Sequence, residues 1–332
     1  MNSHNKIFSP ILFALLLLFI VFVISIATGQ ISLSIAQLGR TLIGQGTDIE
    51  NLILFQFRLP RILVTILAGM GLAVAGAILQ SITNNPLSEP GILGINAGAG
   101  LMVVVYILFF TAEPTSTLYL LPLFALFGGF FAAMVIYLLA YKKGEGADPI
   151  RIILIGVGMA AAMNGAILTL STRLPEDQHD FFANWIAGRI WGDDWAFVLA
   201  LFPWLVLFLP AVMMKSNVLN ILHTNEQVAT GLGINVERER LILLFIAVAI
   251  ASASVSVTGG IAFVGLIAPH LARAWVGHSF QIVLPISAFL GAALLLLADT
   301  IGRVLLDPSG VPAGVIVSII GTIYFLYLMI KK

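Results

Sequence analysis

Ten apolar runs follow one another along the 332 residues of this chain, near 9–29, 62–82, 92–111, 118–141, 150–172, 196–214, 240–258, 260–276, 282–302 and 311–330. Most approach the roughly twenty residues a helix needs to cross hydrocarbon. Backbone N–H and C=O groups in lipid must find partners within the protein, which leaves helices or a closed barrel. Runs of this length point to helices. The expected class is an all-α polytopic membrane protein of about ten transmembrane helices. Composition agrees: 60% of residues are apolar and 10% charged, where a soluble domain is about one quarter charged. Too few charges exist to coat a globule of this size. Zero net charge gives no sign of a nucleic-acid partner. The absence of cysteine excludes disulfides, thiol catalysis and cysteine-based metal sites.

The first run follows Lys6 but is long for a signal peptide, and Thr28-Gly29-Gln30 offers no small-x-small cleavage site, so it reads as a retained helix. The eighth run is short and opens on Gly259-Gly260. The longest polar interruptions, 30–60, 173–195 and 215–239, are each too short to build a core. The chain therefore reads as one transmembrane domain over 1–332, with its main inner loop at 215–239. With ten spans and an inner N-terminus, the inner segments carry Lys6, Lys142, Lys143, Arg151, Lys215, Arg238, Arg240, Arg273, Lys331 and Lys332. The outer ones carry Arg40, Arg58, Arg61, Arg173, Arg189 and Arg303. Ten cations against six agrees with the positive-inside rule and places both termini in the cytoplasm.

The segment 58–100, RLPRILVTILAGMGLAVAGAILQSITNNPLSEPGILGINAGAG, is the most distinctive. Gly69, Ala73 and Ala77 recur every four residues and offer one small-residue face to a neighbouring helix. A polar, proline-broken turn at Asn84–Pro90 follows, containing Asn85 and Pro86. A second block, TGGIAFVGLIAPHLAR over 258–273, holds Gly259, Gly260 and Gly265 for close backbone approach, Pro269 as a helix breaker, His270 and Arg273. A third block, Ala298-Asp299-Thr300-Ile301-Gly302-Arg303, places Asp299 and Arg303 four apart on one helix face, where they can pair.

The order RLPR, apolar span, NPLSEPGILGINAGAG, then G-x-I-x-F-V-G-L-x-x-P-H-x-x-R resembles the FecCD-type permease subunits of ABC importers for iron–siderophore complexes, haem and cobalamin, and the likeness covers nearly the whole chain. The resemblance implies one of two permease subunits (a homo- or heterodimer), two ATP-binding subunits beneath and an extracytoplasmic solute-binding protein above. It implies a metal chelate as substrate, an iron(III)–siderophore first, with cobalamin or haem as alternatives and a secondary transporter as the more distant one. It assigns Arg58, Arg61 and Arg303 to docking the binding protein, against the plainer reading of an Asp299 ion pair. In the loop at 215–239 it assigns Glu226, Ala229, Leu232, Gly233 and Arg238 to coupling with the ATPase, against a merely solvated loop. Asn85, Pro86, Gly259, Gly260, Gly265, Pro269, His270 and Arg273 fall to structural and gating roles.

Absences weigh as much. No G-x-x-x-x-G-K-[ST] exists to cradle ATP phosphates, so ATP hydrolysis belongs to partner subunits and this chain is read as no enzyme. No H-E-x-x-H or dense His/Asp/Glu cluster is present, and no cofactor or metal is called for. The histidines fall at span ends or in loops, and no acid sits deep within a span. Asn164 reads as a helix–helix hydrogen bond.

Overall fold

The computed structural model describes residues 3–29, 34–110, 114–142, 146–191, 194–223, 226–305 and 310–330. Of the cations used to orient the chain, Lys143, Lys331 and Lys332 lie outside the described residues, as do the side chain of Lys6 and the acid Asp193. Among the described residues the regular structure is helical, apart from a two-residue antiparallel pair that joins Tyr141–Lys142 to Gly146–Ala147.

Each of the ten expected spans coincides with a helix. These are α1 (Ser3–Ala27), α4 (Leu59–Ile82), α5 (Ile95–Phe109), α6 (Pro114–Ala140), α7 (Pro149–Ser171), α9 (Trp195–Met214), α12 (Val236–Thr258), α13 (Val264–Val276), α14 (Phe280–Val304) and α15 (Ala313–Ile330). Among the described residues, eight helices are long and apolar enough to cross a membrane, whereas α5 has 15 residues and α13 has 13. Five short helices fill the connections: α2 (Ile35–Leu42), α3 (Asp48–Asn51), α8 (Glu176–Ile186), α10 (Ser216–Leu222) and α11 (Glu226–Gly231). Of these, α10 and α11 fall in the inner loop, whose sequence has helix-like stretches, while α2, α3 and α8 have no counterpart in the sequence reading.

Helices α4, α12 and α14 form the centre, while α1, α7, α9 and α15 keep most of their surface open. Small residues set that centre. Gly69 lies against the backbone of Gly291 and Ala292, so α4 and α14 touch main chain to main chain, as the four-residue stripe requires. Any Cβ on Gly76 would collide with Gly265, which brings α13 as close to α4 on another side. Gly98 meets Gly128 near the middle of α6, so α5 starts close to mid-depth. Helix α7 leaves Gly158, Ala162, Gly165 and Thr169 exposed along one face. Asn164 is exposed beside them, so within this chain it does not join two helices.

Two breaks interrupt the helical pattern. The first runs from Asn84 to a 3-10 turn, Pro90–Leu93, and Gly94 (φ +64°) then starts α5. The second, residues 259–263, separates α12 from α13. A π-helical stretch, Leu52–Arg58, also precedes α4. Pro60 has no N–H to offer Gln56, and Leu59 donates to Leu54 instead, so the turn widens there.

Candidate functional site

Three groups of side chains carry the chemistry of this molecule. The first lies where α1 ends and α4 begins. Asp299 on α14 is 2% exposed. Its Oδ1 accepts from Arg61 Nη2 at 2.8 Å, and its Oδ2 accepts from Arg303 Nε at 3.0 Å. Arg303 also donates to Ser25 Oγ at 2.8 Å and to Thr28 O at 3.3 Å. Arg58, at the end of the π turn, is buried and donates to Ile26 O at 2.6 Å. One carboxylate thus ties α4 to α14, and its arginines tie both to the end of α1. The pair expected from the spacing of Asp299 and Arg303 is present, with Arg61 as a second partner from 238 residues away. The three arginines do not stand free on a surface. The side chain of Arg61 is 24% exposed and that of Arg303 15%.

The second group surrounds α13. Pro269 cannot donate to Gly265 O, the carbonyl four residues back. Gln80 of α4 supplies the missing donor, its Nε2 lying 3.0 Å from Gly265 O. The Gln80 side-chain oxygen in turn accepts from Arg273 Nη2. Gly265, Pro269 and Arg273, each four apart, therefore share the face that Gln80 clamps. His270 Nδ1 lies 2.6 Å from the Tyr324 hydroxyl, joining α13 to α15. At the break before α13, Gly259 has φ +75° and packs on Trp185 O, which also accepts from Gly260 N–H at 3.2 Å. Asn96 Nδ2 donates to Ile261 O at 3.2 Å. Glu89 Oε2 accepts from Phe263 N–H at 2.8 Å. Asn85 shapes the elbow that carries Glu89: its side chain accepts from Leu87 N–H at 2.9 Å, and Pro86 is exposed. Beside this break Gly260, Gly314, Ser318 and Thr322 help line an open groove of about 510 Å³.

The third group is at the opposite end from the arginines. Helices α10 and α11 lie between α9 and α12. Ser81 Oγ donates to Leu219 O at 3.0 Å, Phe280 N–H donates to Asn220 Oδ1 at 2.8 Å, and Lys215 pairs with Glu239 at 2.7 Å. These bonds seat α10 on α4, α12 and α14. Ala229 is on the fully buried side of α11, while Val228 and Leu232, four apart, are exposed. Gly233 has φ +81° with open space around its Cα, and Arg238 is exposed in the first turn of α12. The side chain of Glu226 lies outside the described residues. His223, at the end of α10, stacks on His278 at 5.8 Å. Burial first, then Arg273 and His278, hold its pKa below the ordinary histidine value, so it stays neutral beside its basic neighbours.

The profile of the FecCD transport family matches residues 17–331. The chain belongs to that family. It is 46% identical to the iron(3+)-hydroxamate import system permease protein FhuG of Bacillus subtilis, over 99% of both chains. It is 39% identical to the iron-uptake system permease protein FeuC of the same organism over 95% of each, and 36% identical to the Fe(3+) dicitrate transport system permease protein FecD of Escherichia coli over 84% of this chain and 85% of that one. Its fold matches that of a chain solved as an inward-facing, metal-chelate type ABC transporter, with a TM-score of 0.85 at 30% identity, covering 97% and 99% of the two chains. The molecule is a multi-pass membrane transport protein.

Within this FecCD chain, the sequence motifs map onto contacts. The RLPR and Asp-Thr-Ile-Gly-Arg blocks meet in the Asp299 cluster, and the Gly-Gly block meets the elbow after α4. Sequence reasoning missed Glu89, Asn96 and Phe263, and gave Gln80 no role. Their one available signal is polarity beside a helix break, because a freed backbone group in an apolar setting needs a side-chain partner. Asp299 is near the end of α14, as expected, and is almost wholly buried there.

The Asp299 cluster yields a direct expectation. Asp299→Asn keeps the shape but leaves two guanidinium groups facing a neutral amide. Breaking a buried pair from one side costs about 3–5 kcal/mol. The purified variant should melt well below the parent in detergent, whereas Asp177→Asn, at an exposed position, should not. Equal melting temperatures for the two variants would show that Asp299 holds nothing together.

Proposed function

We propose that this chain is a transmembrane permease subunit of an ABC importer that carries an iron(III) chelate across the cytoplasmic membrane. A ferric hydroxamate siderophore is the first candidate substrate. The observation that carries this reading is the end-to-end likeness to the FhuG permease of Bacillus subtilis. A second permease subunit, two ATP-binding subunits and an extracytoplasmic binding protein complete the assembly, and ATP hydrolysis belongs to the partners. The structure supports the reading in two places. One stripe on the exposed side of α7, Gly158, Ala162, Gly165 and Thr169, carries small and hydroxyl side chains beside the exposed Leu154, Val157 and Leu168, and the groove beside α15 adds Ser318 and Thr322 to an otherwise apolar lining. A small-residue stripe of this kind suits the close approach of a second protein surface. At the other end, α10 and α11 form a short, firmly seated pair with Val228 and Leu232 pointing away from the bundle. A rigid pair of this kind can pass a rigid-body motion between subunits, and we assign it to the ATPase.

Reconstitution with the cognate ATPase and binding protein in proteoliposomes tests the function. ATP-dependent accumulation of a ferric hydroxamate is expected, with cobalamin and haem left outside. Accumulation of cobalamin or haem and no iron chelate would overturn the substrate assignment.

The binding protein is proposed to dock at the arginine end. Arg58 is buried against Ile26 O, so direct contact falls to Arg61 and Arg303, whose forks remain partly exposed. A bidentate guanidinium suits a partner carboxylate. Reversing all three charges would set glutamates against Asp299, so Arg61→Gln is the cleaner probe. Its affinity for the binding protein should fall about two- to fivefold at low salt and differ little at high salt, as for a partly exposed ion pair. Unchanged affinity at low salt would return Arg61 to a purely internal role.

We assign both termini and the α10–α11 pair to the cytoplasm, an assignment that the Lys/Arg distribution supports. In this cysteine-free chain, Lys142→Cys and Asp177→Cys should react with an impermeant maleimide from opposite sides of the membrane. Reaction of both from outside intact cells would invert the topology.

A further inference from the structure

Phe263 is one of two described non-glycine residues with positive φ, at +66°. The other, Asn84, is a residue type that tolerates this region, whereas a bulky aromatic in it is a true outlier. Such a conformation costs on the order of 1–3 kcal/mol and persists only where the surroundings hold it. A plain turn would have used glycine, as the chain does at Gly259 four residues earlier. Something else is gained from phenylalanine at this point.

Two grips fix it. The Glu89 carboxylate, brought back by the elbow after α4, accepts the Phe263 N–H across 174 residues of sequence. The ring fills a notch in α15, where Gly321 leaves room; a Cβ there would sit 2.7 Å from the Phe263 Cβ. The two grips come from different elements, so relative movement of the elbow and α15 must act on this residue.

Its position gives that movement an outlet at both ends. Gly260, just before Phe263, helps line the groove beside α15. After Phe263 runs the short helix α13, clamped to α4 through Gly265, Gln80 and Arg273. It ends at Gly277, and the turn beyond it stacks His278 on His223 and hands the Phe280 N–H to Asn220 of α10. One continuous segment therefore touches the groove at one end and the proposed ATPase-coupling helices at the other.

We propose that Phe263 is a hinge of the transport step and that Glu89 is the positioning residue that holds it in the conformation seen here. Binding energy supplied at the coupling helices moves α13; the strained residue leaves the left-handed region, its ring leaves the Gly321 notch, and the groove wall at Gly260 shifts. The assignment rests on the reading of the chain as an ABC permease.

The test uses the complete importer in proteoliposomes. Glu89→Gln retains an acceptor oxygen for the Phe263 N–H, whereas Glu89→Ala removes it. Chelate moved per ATP hydrolysed should fall about tenfold in Glu89→Ala and less than about twofold in Glu89→Gln, as expected for losing versus keeping a hydrogen bond to a charged group. Both variants should copurify with the ATPase as the parent does. An unchanged coupling ratio in Glu89→Ala, or an equal loss in both variants, would overturn the proposal. A second arm covers a failure of Glu89→Ala to assemble. Phe263→Cys combined with Gly321→Cys puts the two thiols of an otherwise cysteine-free chain on facing elements with their Cβ positions 2.7 Å apart, so they bridge once the elements part by about 1 Å to the roughly 3.5–4.5 Å that a disulfide spans. Oxidation should arrest transport and reduction restore it, and ATP should change the rate at which the disulfide forms. Transport by the oxidised, cross-linked protein, or a cross-linking rate indifferent to ATP, would rule the hinge out. The cross-linking rate needs no chelate, so it separates failure of the hinge from a wrong substrate.

Discussion

A backbone group released from a helix inside hydrocarbon has no water to turn to, and leaving it unpaired costs several kcal/mol. That constraint organises the inner part of this chain. The break at 259–263 frees several polar groups, and three of them find partners in distant elements: Trp185 O for Gly260, Asn96 for Ile261 O and Glu89 for Phe263. Pro269 then frees Gly265 O, and Gln80 takes it. The interrupted segment is therefore stitched to α4, α5 and α8 by the bonds that its own irregularity demands. The close approach of Gly76 to Gly265 brings Gln80 within reach of that carbonyl. A larger residue at Gly76 would cost packing and would also part a carbonyl from its donor.

The Asp299 cluster applies the same logic to charge. A carboxylate at 2% exposure is tolerable only with its oxygens fully engaged, and Arg61 and Arg303 engage both. The π turn before Pro60 alters the angular relation between Arg58 and Arg61, so that one reaches the end of α1 and the other reaches α14. Three sequence-distant segments thereby become one rigid corner. For the docking proposed at this end, such stiffness would count even at an arginine that never meets a partner, since a preorganised surface loses less entropy on binding.

Much of this was legible from sequence. Apolar run length gave the helices, because a membrane enforces length more strictly than a soluble core does. The Gly69–Ala73–Ala77 stripe gave the α4–α14 contact, and the i,i+4 spacing of Asp299 and Arg303 gave their pair. What stayed hidden was long-range. Nothing local to Arg61 reveals a partner 238 residues away, so an arginine buried in a network and one exposed for docking read alike. Glu89 looked like part of a polar turn because only the fold shows that the turn climbs back against α13. The short helix α8 is hidden because its polarity resembles that of a loop, and α10 and α11 show in the sequence only as helix-like stretches of a polar segment. Their helicity comes from tertiary seating, such as the bond from Ser81 to Leu219 O, more than from propensity.

The exposed face of α7 has one further consequence. Gly158, Ala162, Gly165 and Thr169 present shallow relief, with open space around both glycines. Lipid chains gain little by packing on it, while another helix could approach to backbone distance. A solitary copy of the chain therefore forgoes dispersion energy that a paired copy recovers. The free energy of the folded subunit then depends on how many partners share its patch of bilayer, by ordinary mass action. Abundance in the membrane becomes a structural variable: unequal synthesis of the subunits would leave the surplus as the more loosely held, more readily degraded fraction.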